Sequence, residues 1–195
     1  PLQIYYGGAN GQPLEGATPT GYYLKKYCDA SINLTASGSS KKFHSWIIFR
    51  LGEFYLNYAE AMFRYTGDVE QALPGDKSPL TARQAINVIR QRTGVKMPEL
   101  KAEDVNDPKV FWKRYKNERM VELAFEGHRF WDVRRWKEGE TFKEVTLMKI
   151  TQNNNGTYNY SREKSIRSWD DKMYFFPIPQ TELMCNTNLA QNPGW

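Results

Sequence analysis

A mainly α fold with irregular loops and a small β-hairpin region follows from three features of the sequence. Apolar residues recur at helical spacing in three segments between positions 49 and 125, bounded by cap residues or glycines. An Asn153-Asn154-Asn155-Gly156 run separates two β-rich stretches farther on, a hairpin signal. The 195 residues, 40% hydrophobic and 25% charged, have the balance of a globular chain rather than a disordered one.

Residues 1–45 are punctuated by Gly7, Gly8, Gly11, Gly16, Pro19 and Gly21, and Ser37-Gly38-Ser39-Ser40 reads as a flexible turn. Tyr22–Tyr27 between them is expected as a short strand or extended segment. The first strong helix is predicted over Phe49–Tyr65. Leu51, Phe54, Tyr55, Tyr58, Met62 and Tyr65 fall on one face and are expected to be its buried stripe. Glu53, Asn57, Glu60 and Arg64 take the other faces, and Gly67 is the stop. A second helix is predicted from Ser78 as N-cap and Pro79 at the first helical position, with Ala82, Ala85, Ile86 and Ile89 inward. Arg90 and Arg92 suit its C-terminal dipole, and Gly94 ends it. The two helices are expected to pack antiparallel.

Asp107-Pro108 opens a third helix, predicted to run to Phe125 and stop at Gly127. Arg129–Trp136 follows as a short fourth helix. The hairpin is placed with strands at Val145–Thr151 and Thr157–Tyr160. Met173–Phe176 is a short apolar segment closed by Pro177 and Pro179, and the tail from Asn186 is polar and turn-rich.

Several function classes lose support at once. Net charge is +5, but the excess is spread as +2, +1, +1 and +1 over residues 1–45, 46–100, 101–140 and 141–195. Phosphate binding needs converging Lys and Arg, so no nucleic-acid partner is expected. The two histidines and the lack of HExxH, CxxC, GxGxxG and P-loop patterns remove the usual signs of metal or nucleotide chemistry, and no cofactor is expected. Cys28 and Cys185 are expected as free, buried thiols rather than a disulfide scaffold. No apolar run is long enough to span a bilayer as a helix.

One constellation invites a catalytic reading. Phe111, Tyr115, Glu118, Glu122 and Phe125 lie on one line of the third helix, so two carboxylates share a face with aromatic rings. Glycosidases use paired carboxylates at comparable separation. Against this, Arg119, Arg129, Arg134 and Arg135 follow closely, and arginine pairing would hold both groups as carboxylates, whereas a general acid needs a raised pKa. Two neighbours on one helix also flank a substrate poorly. Structural ion pairing is the favoured reading. Separately, Ile48, Leu51, Gly52 and Tyr55 match the start of a tetratricopeptide (TPR) helix with Ile for Trp, which suggests a TPR-like pair able to dock a protein partner.

Arg50-Leu51-Gly52-Glu53-Phe54-Tyr55-Leu56-Asn57-Tyr58-Ala59-Glu60-Ala61 is similar to the "R-hydrophobic-x-E-x-Y-L-x-Y-A-E-A" helix of the SusD/RagB family, and Ala85–Gly94 to that family's "A-x-N-x-V-R-x-R-A-G". Glu118–Trp136 resembles "ERR-x-E-L-A-F-E-G-H-R-F-x-D-L-R-R-W", with Met120 for the second Arg. Phe176–Glu182 and Asn188–Trp195 resemble the closing "F-P-I-P-Q-x-E" and "N-L-x-Q-N-P-G-Y". The resemblance implies a TPR-like helical SusD-type fold, with residues 1–195 as the C-terminal portion of a longer protein whose N-terminal TPR-like half is absent. It implies a non-catalytic surface lipoprotein of the outer membrane in Bacteroidetes. Such a protein captures oligosaccharides for a SusC-like TonB-dependent transporter and touches the membrane only through an N-terminal lipid anchor absent from this chain. The alternatives are a TPR-like interaction module without its own ligand, or a glycosidase using Glu118 and Glu122.

Sugars present apolar C–H faces rimmed by hydroxyls, so aromatic rings outside the helical stripes are the candidate ligand-binding residues. These are Tyr5, Tyr6, Tyr158, Tyr160 and Trp169. Tyr158 and Tyr160 alternate on a strand and so face one side. Trp46, Trp112, Trp131 and Trp136 are expected in the core.

Overall fold

A computed structural model describes residues 3–29, 31, 32, 42–75 and 79–195. They divide into two compact units, residues 42–131 and residues 1–41 with 132–195.

The first unit is helical. α1 (Leu51–Thr66) ends at Gly67, whose φ of 71° closes the helix in the left-handed conformation that glycine adopts without a Cβ penalty. α2 (Ala82–Gln91) starts later than predicted. Its cap is Thr81, which accepts from Gln84 N while the Gln84 side chain accepts from Thr81 N, a reciprocal capping box. Pro79 stands outside the helix, and the predicted cap Ser78 lies outside the described residues. Ala82, Ala85, Ile86 and Ile89 are buried as expected. Arg83 N bonds to Val69 O beside the end of α1, while Arg92 shares Glu122 with Arg50 at its start. The pair is therefore antiparallel.

α3 (Pro108–Glu122) opens as predicted, with Asp107 accepting from Lys109 N, and stops at Leu123 rather than Phe125. It buries Phe111, Tyr115 and Arg119, not the Glu118–Glu122–Phe125 line. Phe63 and Trp112 stack beside Phe111, and the Arg64 guanidinium lies 4.1 Å over the Trp112 ring. α4 (His128–Arg135) follows.

The burial of α1 follows the sequence expectation only in part, since Met62 of the expected stripe is buried but its ends are not. Its buried residues are Leu56, Ala59 and Met62, whereas Leu51, Phe54 and Tyr65 are 69%, 58% and 80% exposed. Three residues of its other faces meet partners on the following helices. Glu60 accepts from the buried Tyr115 hydroxyl at 2.8 Å, Asn57 accepts from Arg119 Nη1 at 2.7 Å, and Glu53 lies 3.7 Å from His128 Nε2. A helical stripe identifies faces but not which face meets a neighbour, and here small Ala59 and the hydrogen-bonding groups face it.

In the second unit, β1 (Glu144–Gln152) and β2 (Tyr158–Ile166) pair antiparallel around the asparagine-rich turn. β2 is longer than its predicted apolar stretch, because cross-strand pairing carries its polar half along. Of the expected strand or extended segment Tyr22–Tyr27, residues 22–25 form no strand and Lys26-Tyr27 is a turn. A six-residue helix, α5 (Gln180–Cys185), was not predicted. The closing motifs gain a reason. Gln191 both accepts from Ile178 N (2.8 Å) and donates to Ile178 O (2.9 Å), and Asn192 donates to Phe176 O. These bonds knit the tail onto the Phe-Pro-Ile-Pro segment.

Two further expectations are corrected. Cys28 and Cys185 are free thiols, but both are exposed, because they sit on an open loop and on a helix without buried residues. Trp46 and Trp131 are 65% and 58% exposed, and Trp112 and Trp136 are half-buried. α4 turns Asp132 and Val133 inward, so the adjacent Trp131 points outward against Phe130.

Candidate functional site

The hairpin organises most of the predicted aromatics. Tyr6 N donates to Ile150 O (2.8 Å), and farther along the same strand Met148 N donates to Thr20 O (2.9 Å). The N-terminal segment thus runs beside the edge of β1 that β2 leaves open. Gly21 allows this approach: its φ is +73°, and a Cβ there would collide with Met148 O. Between the two contacts lies a cleft of about 290 Å³, lined by Ile4, Tyr6, Gln12, Thr18, Met148 and Glu163 among others. Gln12 is steadied by donating to Ala17 O, and the Thr18 and Thr20 hydroxyls share a hydrogen bond of 2.8 Å.

Strand parity divides the rings between two faces. Tyr158 pairs with Gln152 and Tyr160 with Ile150, so both tyrosines share a face. Tyr5 joins Tyr158, with ring centroids 5.4 Å apart and tilted by 49°. Tyr160 is 68% exposed and Tyr6 60%. Tyr6 belongs to the cleft and lies near Lys149, whose ammonium is bound by Glu163 at 2.9 Å. The Glu163 hydrogen bond and charge raise the Lys149 pKa. Gln12, Thr18, Met148 and Glu163 escaped the sequence reading, which sought only rings. The alternation that placed Tyr158 and Tyr160 on one face would have put Glu163 on the other.

Trp169 stands apart from this group. Its indole packs on Phe142 and Tyr174 and fills the space that a Cβ on Gly139 would take. Arg134 lies 5.4 Å over the ring, and burial lowers the pKa of that guanidinium. The indole Nε1 is buried without a hydrogen-bond acceptor among the described residues.

The two carboxylates of the catalytic reading are held by arginines from other segments, not by the neighbouring ones. Glu118 binds Arg90. Glu122 binds Arg50 through one oxygen (2.6 Å) and Arg92 through the other (2.9 Å). Arg50 also forks onto Glu126, with Nε and Nη2 at 2.7 and 2.9 Å. These carboxylates hold the Arg50 pKa above its ordinary value. Arg50, Arg92, Glu122 and Glu126 come from three separated motifs and meet in one network.

Among the described residues no helix is long and apolar enough to cross a membrane, and no group of His, Cys, Asp and Glu is arranged to hold a metal ion.

Comparison with known proteins agrees with this architecture. The family model described as the SusD family matches residues 2–195. A SusD-like protein from Bacteroides fragilis NCTC 9343 is 36% identical, with a TM-score of 0.72 over 92% of this chain and 32% of its own. The protein BT4246 is 30% identical, with a TM-score of 0.61 over 81% of this chain and 25% of its own, and its selenomethionine form is 28% identical. The chain therefore spans a third or less of the length of these solved relatives. No curated protein matches it. With matching motifs, fold and family model, the chain belongs to the SusD family.

Proposed function

We propose that this chain is the C-terminal portion of a non-catalytic, lipid-anchored outer-membrane protein that captures oligosaccharides for a SusC-like TonB-dependent transporter. Family membership supports the role, and the ring and polar groups lining the hairpin cleft support a ligand site there. Tyr5, Tyr158 and Tyr160 offer rings to sugar C–H faces on one side of the hairpin. Tyr6, Gln12, Thr18 and the Lys149–Glu163 pair offer a ring and polar groups on the other. The arginines held on Glu118 and Glu122 favour a binding protein over a glycosidase.

Affinity electrophoresis against a polysaccharide panel tests this with the natural full-length protein. Retention by at least one polysaccharide is expected, without release of reducing sugar, and Tyr6→Ala and Tyr160→Ala should weaken it. Release of reducing sugar that stops in Glu118→Gln would overturn the non-catalytic reading. Undiminished retention in the Tyr5, Tyr6, Tyr158 and Tyr160 alanine variants would remove the hairpin site.

A docking role is favoured by a separate observation. Leu51, Phe54, Tyr55, Tyr58, Ala61 and Leu80 border an apolar groove of about 520 Å³ on the outer face of α1, and Trp46–Phe49 beside it is exposed. Exposed apolar surface of this kind is a packing face. We assign it to the remaining, TPR-like part of a longer protein. Hydrogen exchange at natural length should show α1 amides protected; exchange like that of an exposed helix would exclude this contact.

A further inference from the structure

A second cleft, in the helical unit, carries chemistry that the hairpin does not. It measures about 470 Å³ and lies between Arg90 of α2, Leu100, and the α3 residues Val110, Lys113, Arg114, Asn117 and Glu118. That volume is within the range of about 300–1,000 Å³ usual for small-molecule sites. Helical spacing sets the α3 residues together, because positions 110, 113, 114 and 117 recur at steps of three and four.

The charges do not cancel. Arg90 is fixed at the rim by Glu118 and by donating from Nε to Pro98 O at 2.8 Å. Glu118 is the one carboxylate lining the cleft and is taken by this pair. The Lys113 and Arg114 side chains are both exposed and make no hydrogen bond or ion pair among the described residues. Two cationic heads and the Asn117 amide thus stand over one helical turn, beside an apolar wall of Leu100 and Val110. A ligand that satisfies all of them has a negative group rich in acceptor oxygens and an apolar flank. A pyranose ring bearing a carboxylate or a sulfate ester has both.

We propose that this cleft is a subsite for an acidic sugar unit, with Lys113 and Arg114 binding its anionic group, Asn117 a neighbouring hydroxyl, and Val110 the ring's C–H face. The inference rests on the glycan-binding reading and sharpens it to acidic glycans.

Calorimetry with the natural full-length protein tests it using three tetrasaccharides: a hexuronate, a sulfated one, and the hexuronate reduced to its neutral alcohol. At least one acidic ligand should bind about tenfold or more tighter than the neutral one, the scale of one charge-assisted contact. Comparing the two acidic arms tells carboxylate from sulfate. Lys113→Gln/Arg114→Gln should abolish the margin between acidic and neutral ligands, while the charge-keeping Lys113→Arg/Arg114→Lys should retain most of it. Both residues are exposed, so an unaltered thermal midpoint verifies the fold. Equal affinities for acidic and neutral ligands, or a margin that survives in the double Gln variant, overturn the subsite but not the glycan reading. Failure of these ligands and of every polysaccharide in the panel overturns both.

Discussion

Arg50→Ala tests whether the ion-pair network holds the helical unit together. The guanidinium makes four hydrogen bonds of 2.6–2.9 Å: two to the Glu126 carboxylate, one to the Glu122 carboxylate and one to the Glu122 carbonyl. The Glu122 and Glu126 side chains are only 10% and 5% exposed. Removing one partner of a buried pair costs about 3–5 kcal/mol, because the other charge stays desolvated. Glu122 keeps Arg92, and Arg50 is itself 25% exposed, so the lower end applies, about 3 kcal/mol. That is a large part of the roughly 5–15 kcal/mol that stabilises a domain. Arg50→Lys should lose somewhat less, since an ammonium keeps the charge but not the fork. In Arg50→Met/Glu126→Gln the charge is removed on both sides, and the loss should fall short of the sum of the single losses by about 1–3 kcal/mol.

Urea unfolding followed by circular dichroism provides the assay. With a slope of about 2 kcal/mol per molar, the Arg50→Ala midpoint should drop by about 1.5 M. A midpoint within about 0.3 M of the unsubstituted protein would refute the reasoning, as would strict additivity in the double variant. The sign of the pH dependence also follows. Glu126 and Glu122 raise the Arg50 pKa above its ordinary, already strongly basic value, so the stability from its charge is fully present through the neutral range and declines only in strong alkali. The arginine's own ionisation therefore adds no slope to stability between about pH 5 and 9.

Three other substitutions probe separate parts of the fold. Tyr115→Phe leaves a fully buried ring in place but removes the hydroxyl that donates to Glu60, with the Leu56 carbonyl also 3.1 Å away; a loss of about 1–3 kcal/mol is expected in the same urea assay. Thr81→Ala should cost about 1 kcal/mol by opening the capping box of α2, and faster amide exchange at Gln84 should accompany it. Gly139→Ala forces the Trp169 indole out of its place against Phe142 and Tyr174; a loss of about 1–3 kcal/mol and a red-shifted tryptophan emission are expected, and an unchanged spectrum would contradict the packing.

Local rules made much of the fold legible. Gly67, Asp107 and the asparagine-rich turn carry their conformations in their own chemistry: freedom at positive φ, a carboxylate that accepts from the first helical turn, and a run suited to a tight reversal. The start of α2 misled because Ser78-Pro79 has the chemistry of a cap, whereas the helix starts after Thr81, which closes a reciprocal pair with Gln84. The candidate sites were half legible. Strand parity placed Tyr158 and Tyr160 together, but Gln12, Thr18 and Met148 meet only because a distant segment runs along β1.

The sequence by itself determined the helical segments, the hairpin and the motifs that mark the family, since each depends on neighbours within a few residues. Only the tertiary structure decided which side of α1 is buried. Periodicity defines an aromatic stripe and a polar stripe, but not what waits opposite each. Tyr115, Arg119 and His128 meet Glu60, Asn57 and Glu53, while Leu56, Ala59 and Met62 are buried and Leu51, Phe54 and Tyr65 are left exposed. The same holds for the arginines. Charge counting foretold that Glu118 and Glu122 would be paired, but their partners arrive from Arg50, Arg90 and Arg92, because a carboxylate leaving water takes the guanidinium that packing brings within reach.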